Sequence, residues 1–260
     1  MSTDYKRQQS AYTPCLSAPE VRALNARMRE VASEMRGDVE AYMDRFLETS
    51  QFPDLVFQRL GEFRGLYDRL LQEMIARLNL MVTCGEGCPT CCHVLPCGLE
   101  PLEVIEIFNH VRQWPDFENL MKRSAEAMRA FQKILHDVEQ KDNKNLPTGS
   151  NAYSQALERF YLLRIPCIFL NQERGTCRIY DIRPLICRAV FCLSDPAFCD
   201  PKHPNFSSRV LEVLEPVDEI NLVLIQTNFI ISEAMGFRFP EILQHGLLAW
   251  HRWVMERRKR

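Results

Sequence analysis

Eight cysteines confined to two short windows constrain this chain more than any other feature. The first window reads Cys84-Gly-Glu-Gly-Cys88-Pro-Thr-Cys91-Cys92. The second carries Cys167 in Ile165-Pro-Cys-Ile-Phe-Leu170, then Cys177, Cys187 and Cys192 around Arg-Ile-Tyr-Asp-Ile-Arg-Pro-Leu-Ile-Cys-Arg. Thiolates three or four residues apart can converge on one soft metal, and distant partners can complete its tetrahedron. The spacing therefore predicts a fold that brings both windows to a polycysteine metal site.

Disulfides are the competing use of so many thiols. The chain has 11 cysteines, and an odd number argues against a complete internal disulfide framework. Met1 to Ser10 contains no apolar run, so no secretory signal is expected and the expected compartment is the cytoplasm. There, thiols stay reduced and clustered cysteines serve as ligands or redox groups. The net charge of −2 and pI near 6.3 supply no basic field for nucleic acid. Ile220 to Phe237 is the richest apolar stretch, but Asn221, Gln226, Asn228 and Glu233 interrupt it. A bilayer-spanning helix needs about 20 predominantly apolar residues, so no membrane span is expected.

Most of the remaining chain reads as helix. Ser17, Pro19 and Glu20 form a start signal, after which Val21, Leu24, Met28, Val31 and Met35 recur at three- and four-residue spacing. Val56, Leu60, Phe63, Tyr67, Leu70, Met74 and Leu78 repeat the pattern, predicting an antiparallel helical hairpin that buries both stripes. Helices are also expected over 100–112, 116–140, 209–214, 217–235 and 239–258, with an exposed loop at 141–150. The expected class is mainly α: a helical bundle with a small β-hairpin around a polycysteine metal site. The expected organisation is a flexible tail at 1–16, the hairpin at 17–82 and a metal-binding domain at 83–260.

Ile165–Leu170 and Thr176–Tyr180 flank a loop of about five residues, predicting facing strands that carry Cys167 and Cys177. Pro184 can open a short helix carrying Cys187 and Arg188. The candidate ligands are thus Cys84, Cys88, Cys91, Cys92, Cys167, Cys177, Cys187 and Cys192. Adjacent Cys91 and Cys92 point in different directions, so one can serve one site while the other faces a second site or the core. Four thiolates around Zn²⁺ or an oxidised [4Fe–4S] core leave a charge of about −2. Arg178, Arg183 and Arg188 lie among the cysteines and are candidate donors around such an anion.

The remaining candidates carry less. Cys15 is expected in the polar tail as a free thiol, and Cys97 is an alternative ligand. Cys192, Cys199 and His203 form a looser string with Asp195 and Asp200. The C-terminal Glu256-Arg-Arg-Lys-Arg260 fits solvated charge at a helix end.

These motifs resemble the bacterial YkgJ-type cysteine-cluster proteins, known as a zinc- or iron-chelating domain. The matching pieces are Cys84-x3-Cys88-x2-Cys91-Cys92, the Cys167-Ile-Phe-Leu segment, Gly175-Thr-Cys177-Arg-Ile-Tyr180 and Arg183-Pro-Leu-Ile-Cys187-Arg188. Ile168 stands where that family commonly has proline. The resemblance spans about residues 84 to 192. The same pattern is associated with flagellin lysine-N-methylases, which implies an iron–sulfur cluster alongside S-adenosylmethionine. Cys84-x3-Cys88-x2-Cys91 also resembles radical S-adenosylmethionine enzymes, but Thr90 replaces their usual aromatic residue. The helices here also do not alternate with strands as a (β/α) barrel requires.

The expected function is therefore a cysteine-ligated metal-binding protein carrying an iron–sulfur cluster of [4Fe–4S] type. Its use would be redox chemistry or modification of a protein or peptide partner, as an iron–sulfur oxidoreductase or an S-adenosylmethionine-dependent protein-modifying enzyme. The alternative is a structural zinc or metal-sensing module.

Overall fold

The computed structural model describes residues 14–142 and 152–257. Helix α1 (Pro19–Ala41) starts after extended Ala18 rather than on a Ser17 cap; the Ser17 hydroxyl donates instead to the Pro14 carbonyl at 3.0 Å. Its apolar stripe of Val21, Met28, Val31, Met35 and Val39 is buried. After α2 (Met43–Thr49), left-handed Ser50 ends the helix and α3 (Asp54–Arg77) returns antiparallel. Val56, Leu60, Phe63, Tyr67, Leu70 and Met74 of α3 are buried in turn. Each large apolar side chain removed from water contributes roughly 1.5–3 kcal/mol, so the two stripes hold the hairpin together.

The hairpin does not end the core. Helix α4 (Pro101–Val111) opens with a capping box in which Glu100 and Glu103 satisfy each other's backbone N–H. Helices α5 (Phe117–Asp142) and α6 (Ala152–Leu162) pack together around Met128, Phe131, Ala156 and Phe160. The loop expected at 141–150 lies, from residue 143 onward, outside the described residues.

After the short helix α7 (Leu185–Ala189) come α8 (Asp218–Met235), which lies against α1, and α9 (Leu243–Arg257), which packs on α4 and α5. Trp250 and Trp253 of α9 stack with Phe46 of α2. One apolar core thus runs continuously from α1 and α3 through α4 to α8 and α9.

Two small antiparallel ribbons complete the mainly α fold: β1 (Leu170–Asn171) with β2 (Thr176–Cys177), and β3 (Val190–Cys192) with β4 (Leu211–Val213). The second ribbon corrects the expectation of a helix at 209–214. Val190 faces Val213 and Cys192 faces Leu211, a pairing between distant segments that local periodicity does not report. Cys15 also departs from expectation, since it is buried in the main core and burial raises its thiol pKa.

Candidate metal centre

The two cysteine windows meet through backbone contacts. Thr83 donates its amide to the Cys192 carbonyl at 2.9 Å, and Cys167 donates to the Cys92 carbonyl at 2.6 Å. Gly175, at φ +67°, sits so close to the first window that an added Cβ would lie 2.9 Å from the Gly87 carbonyl oxygen. Any side chain at 175 would clash with backbone as well as strain its own. The β1–β2 turn therefore docks on the 85–88 loop only because residue 175 is glycine.

This docking gathers Cys91, Cys167, Cys177 and Cys187 from four separate segments. Cys91 lies on the 3-10 turn Thr90–His93 and Cys177 on β2, while Cys187 comes from α7. Cys167 precedes β1 rather than lying on a strand. Pro166 has no N–H to offer a ladder, and the chain turns at once, with Leu170 donating to the Cys167 carbonyl at 3.0 Å. The sulfurs of Cys167 and Cys177 each accept the amide two residues on, from Phe169 and Ile179.

Every pair within this quartet is close enough for one thiolate to raise the pKa of the other. Burial pushes Cys167 up to about 11. It pushes Cys187 well above the ordinary thiol range, although Cys187 keeps a solvent-accessible surface, because its sulfur lies in a crowded recess. Cys91 goes the other way, to about 7: the Cys92 thiol donates to it, and Arg183 adds its charge. Correspondingly, Cys92 is held as the protonated partner. Such a set resists ionising alone, and a bound cation reverses that preference.

A second group lies beside the first. The Cys192 amide donates to the Cys84 sulfur at 3.1 Å, and the Cys199 and Cys192 sulfurs are 3.4 Å apart. Cys88 is near enough to raise both Cys84 and Cys199. Burial opposes ionisation of Cys192, but hydrogen bonds from Ser194, Cys199 and Thr83 outweigh it and lower its pKa. Burial and the bond to Cys192 push Cys199 up to about 12. Cys84 also feels Cys91, so the two groups are neighbours.

The three arginines have different surroundings. Arg183 lies 4.1 Å over the Tyr180 ring and favours the thiolate forms of Cys91 and Cys177. Its buried Nε has no hydrogen-bond partner among the described residues. Arg188 is buried, pairs with Asp68 at 2.6 Å and donates to the carbonyls of Arg183, Tyr180 and Asp181. It braces the loop between Cys177 and Cys187 and also favours the Cys177 thiolate. Arg178 forms a two-bond pair with Asp116 and stacks on Trp114.

Glu103 is a support that the spacing of cysteines did not reveal. Its buried Oε1 accepts the Leu185 amide at 2.7 Å, anchoring the start of α7 and hence Cys187. Burial, with Glu103 beside it, pushes neighbouring Glu100 up to about 8. His93 turns Nδ1 toward the Thr90 carbonyl of its own turn at 3.3 Å. Cys97 points its thiol at the Leu95 carbonyl at 3.2 Å and joins neither group. A cavity of about 270 Å³, lined by Arg123, Glu126, Ala127, Ile165, Pro166 and Ile168, opens beside the Cys167 turn.

Among the described residues, no three His, Cys, Asp or Glu side chains already enclose a common ion position. Ligation therefore requires thiol rotation. A change between staggered χ1 wells carries a cysteine sulfur on the order of 3 Å. Among the described residues no helix is long and apolar enough to cross a membrane.

No curated protein and no solved structure matches the chain. A protein-family match covers residues 83–203, just under half the chain, with the eight cysteines of the two groups as well as Cys92 and Cys97: the CxxCxxCC family, described as a putative zinc- or iron-chelating domain. Over those residues the chain is similar to the CxxCxxCC family.

Proposed function

We propose that this protein carries an iron–sulfur cluster of [4Fe–4S] type on Cys91, Cys167, Cys177 and Cys187, used in one-electron redox chemistry. The observation that carries this reading is the convergence of four mutually interacting thiols beside half-buried Arg183, whose Nε is unsatisfied. An anionic cluster would receive that donor and the positive charge, lowering the cost of burying it. The Phe169 and Ile179 amides already donate to two of the sulfurs, and such bonds tune cluster potential. Cys187 keeps solvent access, which leaves an approach for an electron partner.

The cluster, when bound, supplies reversible electron transfer. The chain's own residues do the rest: Glu103 fixes α7, Arg188 braces the 178–187 loop, and Cys92 hydrogen-bonds Cys91. A protein or peptide partner would be the electron-transfer partner or the target of modification. The family description names zinc as well as iron, so a structural zinc module is the competing reading.

Metal and acid-labile sulfide analysis of anaerobically purified full-length protein tests this. Iron with matching sulfide and broad visible absorption is expected, and Cys177→Ser should abolish both. Zinc without sulfide, released by that same substitution, would overturn the cluster and leave the structural module.

A further inference from the structure

We propose a second, separate metal site in which Cys84, Cys88, Cys192 and Cys199 hold one tetrahedral divalent ion of the zinc type. It rests on the reading that this domain chelates metal, but not on which metal the first quartet holds.

Geometry supplies the first argument. In a Cys₄ zinc site the Zn–S bonds are about 2.3 Å, which places ligand sulfurs roughly 3.8 Å apart. The Cys192 and Cys199 sulfurs, 3.4 Å apart, already stand near that spacing. In a [4Fe–4S] cluster each cysteine binds a different iron, so its ligand sulfurs spread wider than those sharing one ion. The near contact therefore favours a single ion. Cys84 is tied to the same point by the Cys192 amide, and Cys88 follows one loop later, near enough for its charge to act on both Cys84 and Cys199.

The second argument is what holds this part of the chain. Between Cys192 and Leu214, no residue is buried, and none is buried from Met81 to Val94. Segments that bury no apolar side chain gain little from the hydrophobic effect to offset the entropy of ordering them. Yet both are ordered into specific turns. Tyr161 of α6 donates to the Cys199 carbonyl, and Arg164 pairs with Asp200 at 3.1 Å. These polar ties position the loop without giving it a core. A structural zinc supplies the missing folding energy in such settings.

Nitrogen and oxygen donors nearby each have a partner of their own in the loop. Asp195 accepts the Ala197 amide and Asp200 the Lys202 amide, each at 2.9 Å. His203 Nδ1 accepts from Asn205 at 3.1 Å while its ring lies against Phe198. The Ser194 hydroxyl, by contrast, lies 3.5 Å from the Cys192 sulfur, where it can donate to an anionic four-thiolate ion. The sulfur-only set selects a soft ion such as zinc over calcium or magnesium.

The test is elemental analysis of full-length protein, wild type against Cys199→Ser, Cys88→Ser, Cys177→Ser and a Cys97→Ser control. Wild type should hold one zinc beyond the metal of the first quartet. Cys199→Ser and Cys88→Ser should each lose that zinc and keep the metal lost by Cys177→Ser, while Cys97→Ser loses nothing. Should the variants fail to fold, zinc X-ray absorption on wild type decides: four sulfur neighbours at about 2.3 Å support the site, and a nitrogen or oxygen neighbour overturns it. Unchanged zinc in Cys199→Ser, or loss of both metals together, overturns it too. Two zincs and no iron would end the iron–sulfur reading but keep this site. Iron with sulfide and no zinc would do the reverse.

Discussion

The helical body and the cysteine-bearing loops of this protein are ordered by different forces. In α1 and α3 almost every position of the apolar stripe is buried, from Val21 to Val39 and from Val56 to Met74. In 81–94 and 193–213 no residue is. The body is held by area removed from water. The loops are held by backbone pairs, caps, a few buried ions and, on the proposals above, by metal. Losing a ligand should thus be local, and losing a core side chain should be global.

Metal removal gives the largest contrast, since apparent binding energies of structural zinc reach about 10–16 kcal/mol. Treating the protein with a strong chelator should open 81–94 and 193–213 to limited proteolysis while far-UV circular dichroism changes little. If the helices melt in the same transition, the two regions are not separable and the contrast fails.

Phe63→Ala sharpens the other side. Phe63 is fully buried, and such a truncation costs about 3–5 kcal/mol. Urea unfolding should register this loss equally with and without chelator; a loss that vanishes on chelation would mean that the body depends on the metal.

Arg188→Ala sits on the boundary. It would remove a buried guanidinium from half-exposed Asp68 and from three carbonyls, at about 3 kcal/mol. Metal at the first quartet should weaken while zinc at the second remains, and Arg188→Lys should not rescue it, because an ammonium cannot reproduce the guanidinium fork. Retention of full metal by the alanine variant would count against the brace.

Gly175→Ala is a smaller probe, at roughly 1–3 kcal/mol for the left-handed backbone with the Gly87 clash in addition. Both metals should bind more weakly, as the turn docks the window that serves both. A change confined to one centre would show that the windows dock independently.

The smallest effect concerns Asp116. The Arg178 hydrogen bond holds its carboxyl below the ordinary value, so the folded state binds the proton less readily than the unfolded chain. That contribution is fully present above the unfolded pKa of about 3.9 and is lost as pH falls through the lower folded value. The pair is exposed, so the slope should be slight, and Arg178→Ala should remove it in acid titration of stability. Metal loss in that variant would instead give Arg178 a role at the centre.

Much of the body was legible because burial there is periodic. The three- and four-residue spacing of α1 and α3, and the spans near 101–111, 218–235 and 243–257, can be read residue by residue. The strand at 211–213 was not legible, because its partner at 190–192 lies about 20 residues away and strand pairing is a non-local event. Cys15 looked like part of a tail because the polar run of residues 1–10 precedes it, whereas it is buried in the same core as α1 and α3.

The cysteine windows divide along the same line. Residue type and spacing alone determined that this chain would gather thiols and that its body would be helical, because ligand chemistry and helical periodicity are local properties. Tertiary structure decided how the thiols divide. It set Cys91 with Cys167, Cys177 and Cys187, drew Cys199 from a loose string onto Cys192, and turned Arg178 toward Asp116. The physical reason is that a metal site needs convergence in space, and convergence here depends on Gly175 meeting Gly87 and on Glu103 holding Leu185. Contacts between residues 82 or more apart leave no trace in local spacing.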